Sequence, residues 1–277
     1  MPFKYSITLS SFRNIEPIER TIERLAAQGY NAVEMYGEPE KVNLKMLLDV
    51  FNSFDLSVCG VTGMWGRTSL EGRKRKLLSA KPGLVTNSQK YVEQCVEMCR
   101  SLEASELNVC LFADDTSTFD PNHYVIPEPQ KTTVIQKIMP TLSELSRFAR
   151  DRGIRLLLEP LNRYSTPFCT TAEEAVAVAR HVNQENFGVL LDTFHMNIEE
   201  DSFEHAILKS GRLLHHTHFA ENNRKMPGRG HIDFHSIIKP LRKIGYQEYI
   251  SFEPDLTNNE DYMMATKCGL DFIKSIS

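Results

Sequence analysis

Four side chains able to hold a metal or carry a proton stand at the ends of successive apolar runs in the second half of the chain. Glu159 ends the run 154–159, Asp192 ends 187–192, His218 lies near the end of 213–219, and Glu253 ends 249–253. Singly, each has a plain explanation: an aspartate there caps a helix, and a glutamate is solvated or ion-paired. Together, three carboxylates meeting in one place would repel each other and raise their own pKa values unless a cation lay between them. A shell of one imidazole and three carboxylates is mostly oxygen, which suits Mn²⁺ first, with Mg²⁺, Co²⁺ or Zn²⁺ as alternatives. We expect one divalent ion held by Glu159, Asp192, His218 and Glu253. Strand side chains alternate between faces, so His216 and His218 share one side and His215 the other. His218, nearest the end, is the candidate ligand, and His216 is expected to be packed one layer lower.

The elements that must bring these residues together are legible as an alternation. Short apolar runs at 5–9, 32–36, 56–61, 107–112, 154–159, 187–192, 213–219 and 249–253 are each followed by a segment of helical period. The helix after the fifth run opens with a capping box, Thr171-Ala172-Glu173-Glu174. A Pro-rich loop through Pro121, Pro127 and Pro129 separates the fourth run from its helix. At three joints a helix ends on a glycine just before a strand, Gly29, Gly153 and Gly245, where a left-handed residue is wanted. Eight βα units without a linker predict an α/β fold, one (β/α)₈ TIM barrel spanning residues 1–277. A doubly wound open sheet is disfavoured because no G-x-G-x-x-G follows the first strand. In a (β/α)₈ barrel the active site lies at the C-terminal strand ends, which is where the four residues fall.

Composition narrows the classes further. The chain has 277 residues, a formal charge of −4, 41% hydrophobic and 25% charged residues, and an isoelectric point near 6.2. A dedicated nucleic-acid binder needs a basic excess to neutralise phosphates, so no nucleic-acid partner is expected. No run approaches the roughly 18 apolar residues of a membrane span, and no membrane partner is expected. The start of the chain has no charged-then-apolar signal region, and six scattered cysteines include no C-x-x-C pair. Reduced thiols in the cytoplasm are the expectation.

Longer motifs surround the four residues: Glu159…Asn162-Arg163, Asp192-Thr193-Phe194-His195-Met196-Asn197-Ile198-Glu199-Glu200, His218…Glu221…Arg224, and Pro227-Gly228-Arg229-Gly230-His231-Ile232-Asp233. In these the chain resembles the xylose-isomerase-like barrel superfamily, and within it the ketose 3-epimerases of the tagatose/psicose group. The resemblance implies an isomerase acting on a small sugar. Glu159 and Glu253 would double as the proton-transferring pair, one on each face of the substrate, through an enediolate that the metal stabilises. It implies that His195 and Arg224 hold the oxygens at the carbonyl end. One position departs: these epimerases commonly carry an acidic residue where this chain has Ser165.

That departure keeps a second reaction in view, a metal-dependent lyase or dehydratase acting on a keto-sugar, keto-inositol or oxidised C-glycoside. An endonuclease IV-like repair enzyme is a remote third, lacking the extra histidines and a basic face. A homo-oligomer, dimer or tetramer, is expected, or a hetero-oligomer in a C-glycoside-cleaving subunit. Glu34, in the second run, and Trp65, in Gly63-Met64-Trp65-Gly66, are further candidate substrate contacts. Their plain alternatives are an ion pair between strands and a core plug. The basic run Arg73-Lys74-Arg75-Lys76 reads as solvated surface, and Cys95 with Cys99, one turn apart, as core.

Overall fold

The apolar runs become strands because β-branched and leucine-rich segments of four to seven residues have both faces covered, the pattern of a parallel sheet under helices. The computed structural model describes residues 3–66, 70–114, 126, 128–257 and 261–277. In chain order the elements are β1 (Lys4–Ile7), α1 (Ile18–Gln28), β2 (Ala32–Gly37), α2 (Leu44–Ser53), β3 (Ser57–Gly63), α3 (Pro82–Ser101), β4 (Glu106–Val109) and α4 (Glu128–Arg150). They continue as β5 (Arg155–Leu158), α5 (Ala172–Val182), β6 (Phe187–Asp192), α6 (Thr193–Glu199), α7 (Phe203–Ser210), β7 (Leu214–Phe219), α8 (His235–Lys243), β8 (Tyr249–Phe252) and α9 (Tyr262–Ile276). All pairings are parallel, the sheet order is β1-β8-β7-β6-β5-β4-β3-β2, and a Thr8–Glu34 bridge closes the ring between β1 and β2. This is the expected TIM barrel.

The expected glycines do their work at the helix ends. Gly29, Gly153 and Gly245 have φ of +89°, +74° and +70°. Thr171 and Glu174 form the reciprocal capping box of α5. One element was not foreseen: α6 begins directly after β6, with the Asp192 carboxylate as its N-cap. The first strand stops at Ile7, and a 3₁₀ turn takes up Leu9–Phe12. Pro121 and Pro127 of the expected loop lie outside the described residues, and Pro129 falls within α4.

Alternation along the strands separates two interiors. One set of side chains, including Ile7, Met35, Val61, Val109, Leu158, Leu191, Phe219 and Phe252, packs outward against the helices in one continuous apolar cluster. The other set faces the barrel axis, and there Glu34, Glu106, His216 and His218 meet side chain to side chain, all of them buried. Barrels of this type usually fill that space with bulky aliphatic side chains. Cys95 and Cys99 are fully buried in the outer core, as expected. No described helix is long and apolar enough to cross a membrane.

Candidate active site

Asp192 and His218 sit opposite each other in register across β6 and β7. Glu159 and Glu253 lie one residue beyond β5 and β8, yet their amides still continue the ladder, to Val109 at 3.0 Å and Phe219 at 3.1 Å. The side chains of Glu159, Asp192, His218 and Glu253 therefore converge, with one ligand atom from each lying within 4.8 Å of the others. His218 Nδ1 is buried and makes no well-formed hydrogen bond, yet it lies 3.1 Å from Glu253 Oε2 and 3.6 Å from Glu159 Oε1. An unpartnered imidazole nitrogen facing carboxylate oxygens is a donor set that fits one divalent cation.

Positive charge already gathers at this point. The Arg224 guanidinium bonds both Asp192 and Glu253. Burial works against a charged Glu253, but His218 and Arg224 outweigh it and hold its carboxyl down at about 2. For His218 itself burial opposes protonation, and Glu253 and Glu34 more than reverse that, raising its pKa well above the ordinary value. His195 behaves oppositely: burial is the largest influence and lowers its pKa.

Each candidate side chain has a local support. Asn108, on β4, donates to Glu159, and the Cys110 thiol lies 3.6 Å from the same carboxylate oxygen. Asn162 meets His195 Nδ1 through its side chain at 2.7 Å and its backbone amide at 3.2 Å, while His195 Nε2 stands 3.8 Å from Asp192. Arg224 sits at φ +61° in a tight loop. Glu221, 1% exposed, ties that loop together by accepting from Gly228 N at 2.8 Å and Ile232 N at 3.0 Å. Gly230 leaves room for this carboxylate, because a Cβ there would collide with it. The only prior signal for Glu221 was its place inside the His218…Arg224 motif.

A cavity of about 440 Å³ opens above the four residues, with Glu159, Glu253, His195 and Arg224 at its polar end. Trp65, Phe112 and Leu161 line the apolar side, and Tyr164 and Ser165 belong to its lining too. Trp65 is packed as the expected core plug, buried edge-on against Tyr91, and it also lines the cavity. Glu34 takes the ion-pair alternative and does not line the cavity. It is buried behind His218, accepting from Thr62 at 2.8 Å and meeting His216 Nε2 at 2.9 Å and His218 Nε2 at 3.1 Å. His216 lies one layer below His218 as expected, but in an ion-paired layer, between Glu34 and Glu106. The basic run is corrected in part. Arg75 and Lys76 are buried, and Arg75 bonds Glu38 and the Met64 carbonyl while stacking 3.7 Å over Tyr91. That places a cation behind the wall that carries Trp65.

The comparisons agree with this fold. The family model for the xylose isomerase-like TIM barrel matches residues 22–276. The D-psicose 3-epimerase of Agrobacterium fabrum is 46% identical over 113 residues, 41% of this chain and 39% of that enzyme. The D-psicose 3-epimerase of Ruminiclostridium cellulolyticum is 30% identical over 241 residues, 84% of this chain and 76% of that enzyme. The crystal structure of D-psicose 3-epimerase with D-tagatose from Clostridium cellulolyticum superposes with a TM-score of 0.83 at 25% identity, covering 99% of both chains. By the family match and these kinships the chain belongs to the xylose isomerase-like TIM barrel family, among its carbohydrate epimerases.

Proposed function

We propose that the protein is a divalent-metal-dependent ketose 3-epimerase, working by proton transfer between Glu159 and Glu253 across a sugar bound in the cavity. The observation that carries this reading is the meeting of those two carboxylates at one buried imidazole, with an open, partly apolar cavity above them. A proton on a carbon beside a ketone is weakly acidic, and inverting that carbon needs one base on each face. Glu159, tethered by Asn108, and Glu253, tethered by Arg224, are held at fixed places on the rim. Either carboxylate removes the proton while its counterpart returns one to the opposite face. Arg224 and His195, at the polar end, bind the oxygens of the carbonyl end. Trp65, Phe112 and Leu161 cover the carbon face of the sugar and exclude water.

Glu159, Asp192, His218 and Glu253 would hold the cation, which supplies a Lewis acid for the charge that builds on the carbonyl oxygen. The mostly oxygen donor set favours Mn²⁺. We also propose a cytoplasmic enzyme, since the described cysteines are free thiols, and a homo-oligomer as its working form.

The test is proton exchange. Protein stripped with chelator and reloaded with Mn²⁺ is incubated in D₂O with free and phosphorylated ketoses, inositol ketones and oxidised glycosides, and carbon-bound protons are followed by NMR. Metal-dependent deuterium at C3 with a new diastereomer is the expected result. Deuterium at C1 or C2 with an aldose product would make it an isomerase instead, and loss of water or an aglycone would make it a lyase.

A further inference from the structure

Below the proposed metal site a column of alternating charge runs down the barrel axis. His218 Nε2 meets Glu34, at 3.1 Å and 3.2 Å from its two oxygens. Glu34 Oε1 also meets His216 Nε2 at 2.9 Å, and His216 Nδ1 lies 3.0 Å from Glu106 Oε2. Glu106 in turn pairs with Arg155 at 2.8 Å, which reaches Glu248 at 3.2 Å near the floor of the barrel. The His216 and His218 rings stand edge to face, 5.4 Å apart at 89°. Glu34, Glu106, His216 and His218 are all no more than 4% exposed.

Such a column is expensive to bury. Each ion costs several kcal/mol to desolvate, and aliphatic side chains of similar volume would fill the axis at no such cost. Stability alone therefore does not account for it. Its geometry does: every contact leads to one face of one ring. With Nε2 engaged by Glu34, only Nδ1 of His218 is left to face Glu159 and Glu253.

Resting on the proposed metal-dependent function, we propose that Glu34 is a positioning residue, which locks the His218 imidazole in one orientation and tautomer so that Nδ1 is presented to the metal. Thr62 and His216 hold Glu34 in place, and Glu106 with Arg155 anchors His216 from below. A carboxylate bound to the far nitrogen of a metal-binding histidine raises its basicity, and losing it commonly costs ten- to a hundredfold in metal affinity. Glu34, His216 and His218 also offer ligand atoms close enough together for a second ion. The Glu34 oxygens, however, already meet the Thr62 hydroxyl and both imidazoles. The column is hydrogen-bonded around Glu34 and ion-paired below it, a support that takes no ion of its own.

Titration of chelator-stripped full-length protein with Mn²⁺, followed calorimetrically, tests this in wild type, Glu34→Gln and Glu34→Leu, with the metal-free Tm of each measured in parallel. The expected result is one ion per chain, a Kd at least tenfold weaker in Glu34→Leu, and a smaller loss in Glu34→Gln, which keeps one acceptor oxygen. A merely structural Glu34 would lower the metal-free Tm and leave Kd within twofold, which overturns the proposal, as would two ions per chain. Should Glu34→Leu not fold, ¹⁵N-histidine NMR of the Zn²⁺-loaded wild type decides: His218 protonated at Nε2 and coordinated through Nδ1 supports it, and the reverse overturns it. A wild type that binds no divalent ion overturns the metal-dependent function as well, whereas a metal-binding wild type matched by both variants overturns only this inference.

Discussion

Asp192 serves two geometries with one carboxylate. Oδ1 accepts the Phe194 amide at 2.8 Å and starts α6, while Oδ2 turns to Arg224 and the proposed metal. The plain reading of this residue as a helix cap is realised, and its second oxygen stands in the cluster where the chemical reading places it. Because asparagine caps helices as well as aspartate, Asp192→Asn should leave the metal-free Tm nearly unchanged while sharply lowering bound Mn²⁺, measured by atomic emission after dialysis. Unchanged metal content would remove Asp192 from the ligand set. Glu159→Gln and Glu253→Gln should each reduce turnover at saturating Mn²⁺ by roughly a hundredfold or more, the usual worth of a positioned general base. Near-normal turnover in either would exclude that carboxylate from proton transfer.

The connections between elements set how firmly the site is held. Gly153 and Gly245 end their helices in the left-handed region with no atom near the position of a Cβ, so any cost of Gly→Ala there is conformational. Each substitution should destabilise by about 1 kcal/mol, read from denaturant unfolding, with Gly153→Asn costing less. The buried Arg75–Glu38 pair is a different kind of joint, bracing the loop that follows β3. Arg75→Met leaves Glu38 buried without its guanidinium and should cost about 3 kcal/mol. Burial opposes charge on Glu38, but Arg75 more than compensates and holds its pKa below the ordinary carboxylate value. Its contribution is then fully present above the unfolded carboxyl pKa of about 4.3 and lost as pH falls through the lowered folded value. Between pH 6 and pH 3 the Tm of Arg75→Met should consequently fall less than that of the wild type, and parallel curves would contradict the assignment.

At the scale of the whole molecule, the four proposed ligands lie on or one residue beyond β5, β6, β7 and β8, so a cation bound there would tie half of the barrel together. Binding to the folded state alone stabilises it by RT ln(1 + [L]/Kd), or about 2.7 kcal/mol at a concentration of 100 Kd. Chelator should lower Tm by several degrees and Mn²⁺ should restore it. A Tm indifferent to metal would place the ion, if any, outside the four-strand rim. Beneath the site the inward-facing charges come from β2, β4, β5 and β7, as Glu34, Glu106, Arg155 and His216, so the barrel axis there is polar and the hydrophobic stabilisation lies in the outer layer between sheet and helices.

The barrel was legible in the sequence because its signals are local. A strand buried under helices must be apolar along its length, a helix end wants a left-handed glycine, and both marks survive without knowledge of any partner. The four rim residues were legible for the same reason, since Glu159, Asp192 and Glu253 each end an apolar run and His218 stands one residue before the end of its own. What supports them was not. Asn108, Glu221 and the buried Arg75 look like ordinary polar residues until the fold brings them against Glu159, the Arg224 loop and the wall behind Trp65. Glu34 and His216 are 182 residues apart in the chain, and only closure of the ring between β1 and β2 sets Glu34 beside His216 and behind His218. Side-chain type and strand period determined which residues could do chemistry. Tertiary structure decided which of them face the cavity and which stand behind, because that choice rests on register and ring closure, and these are made by contacts distant in sequence.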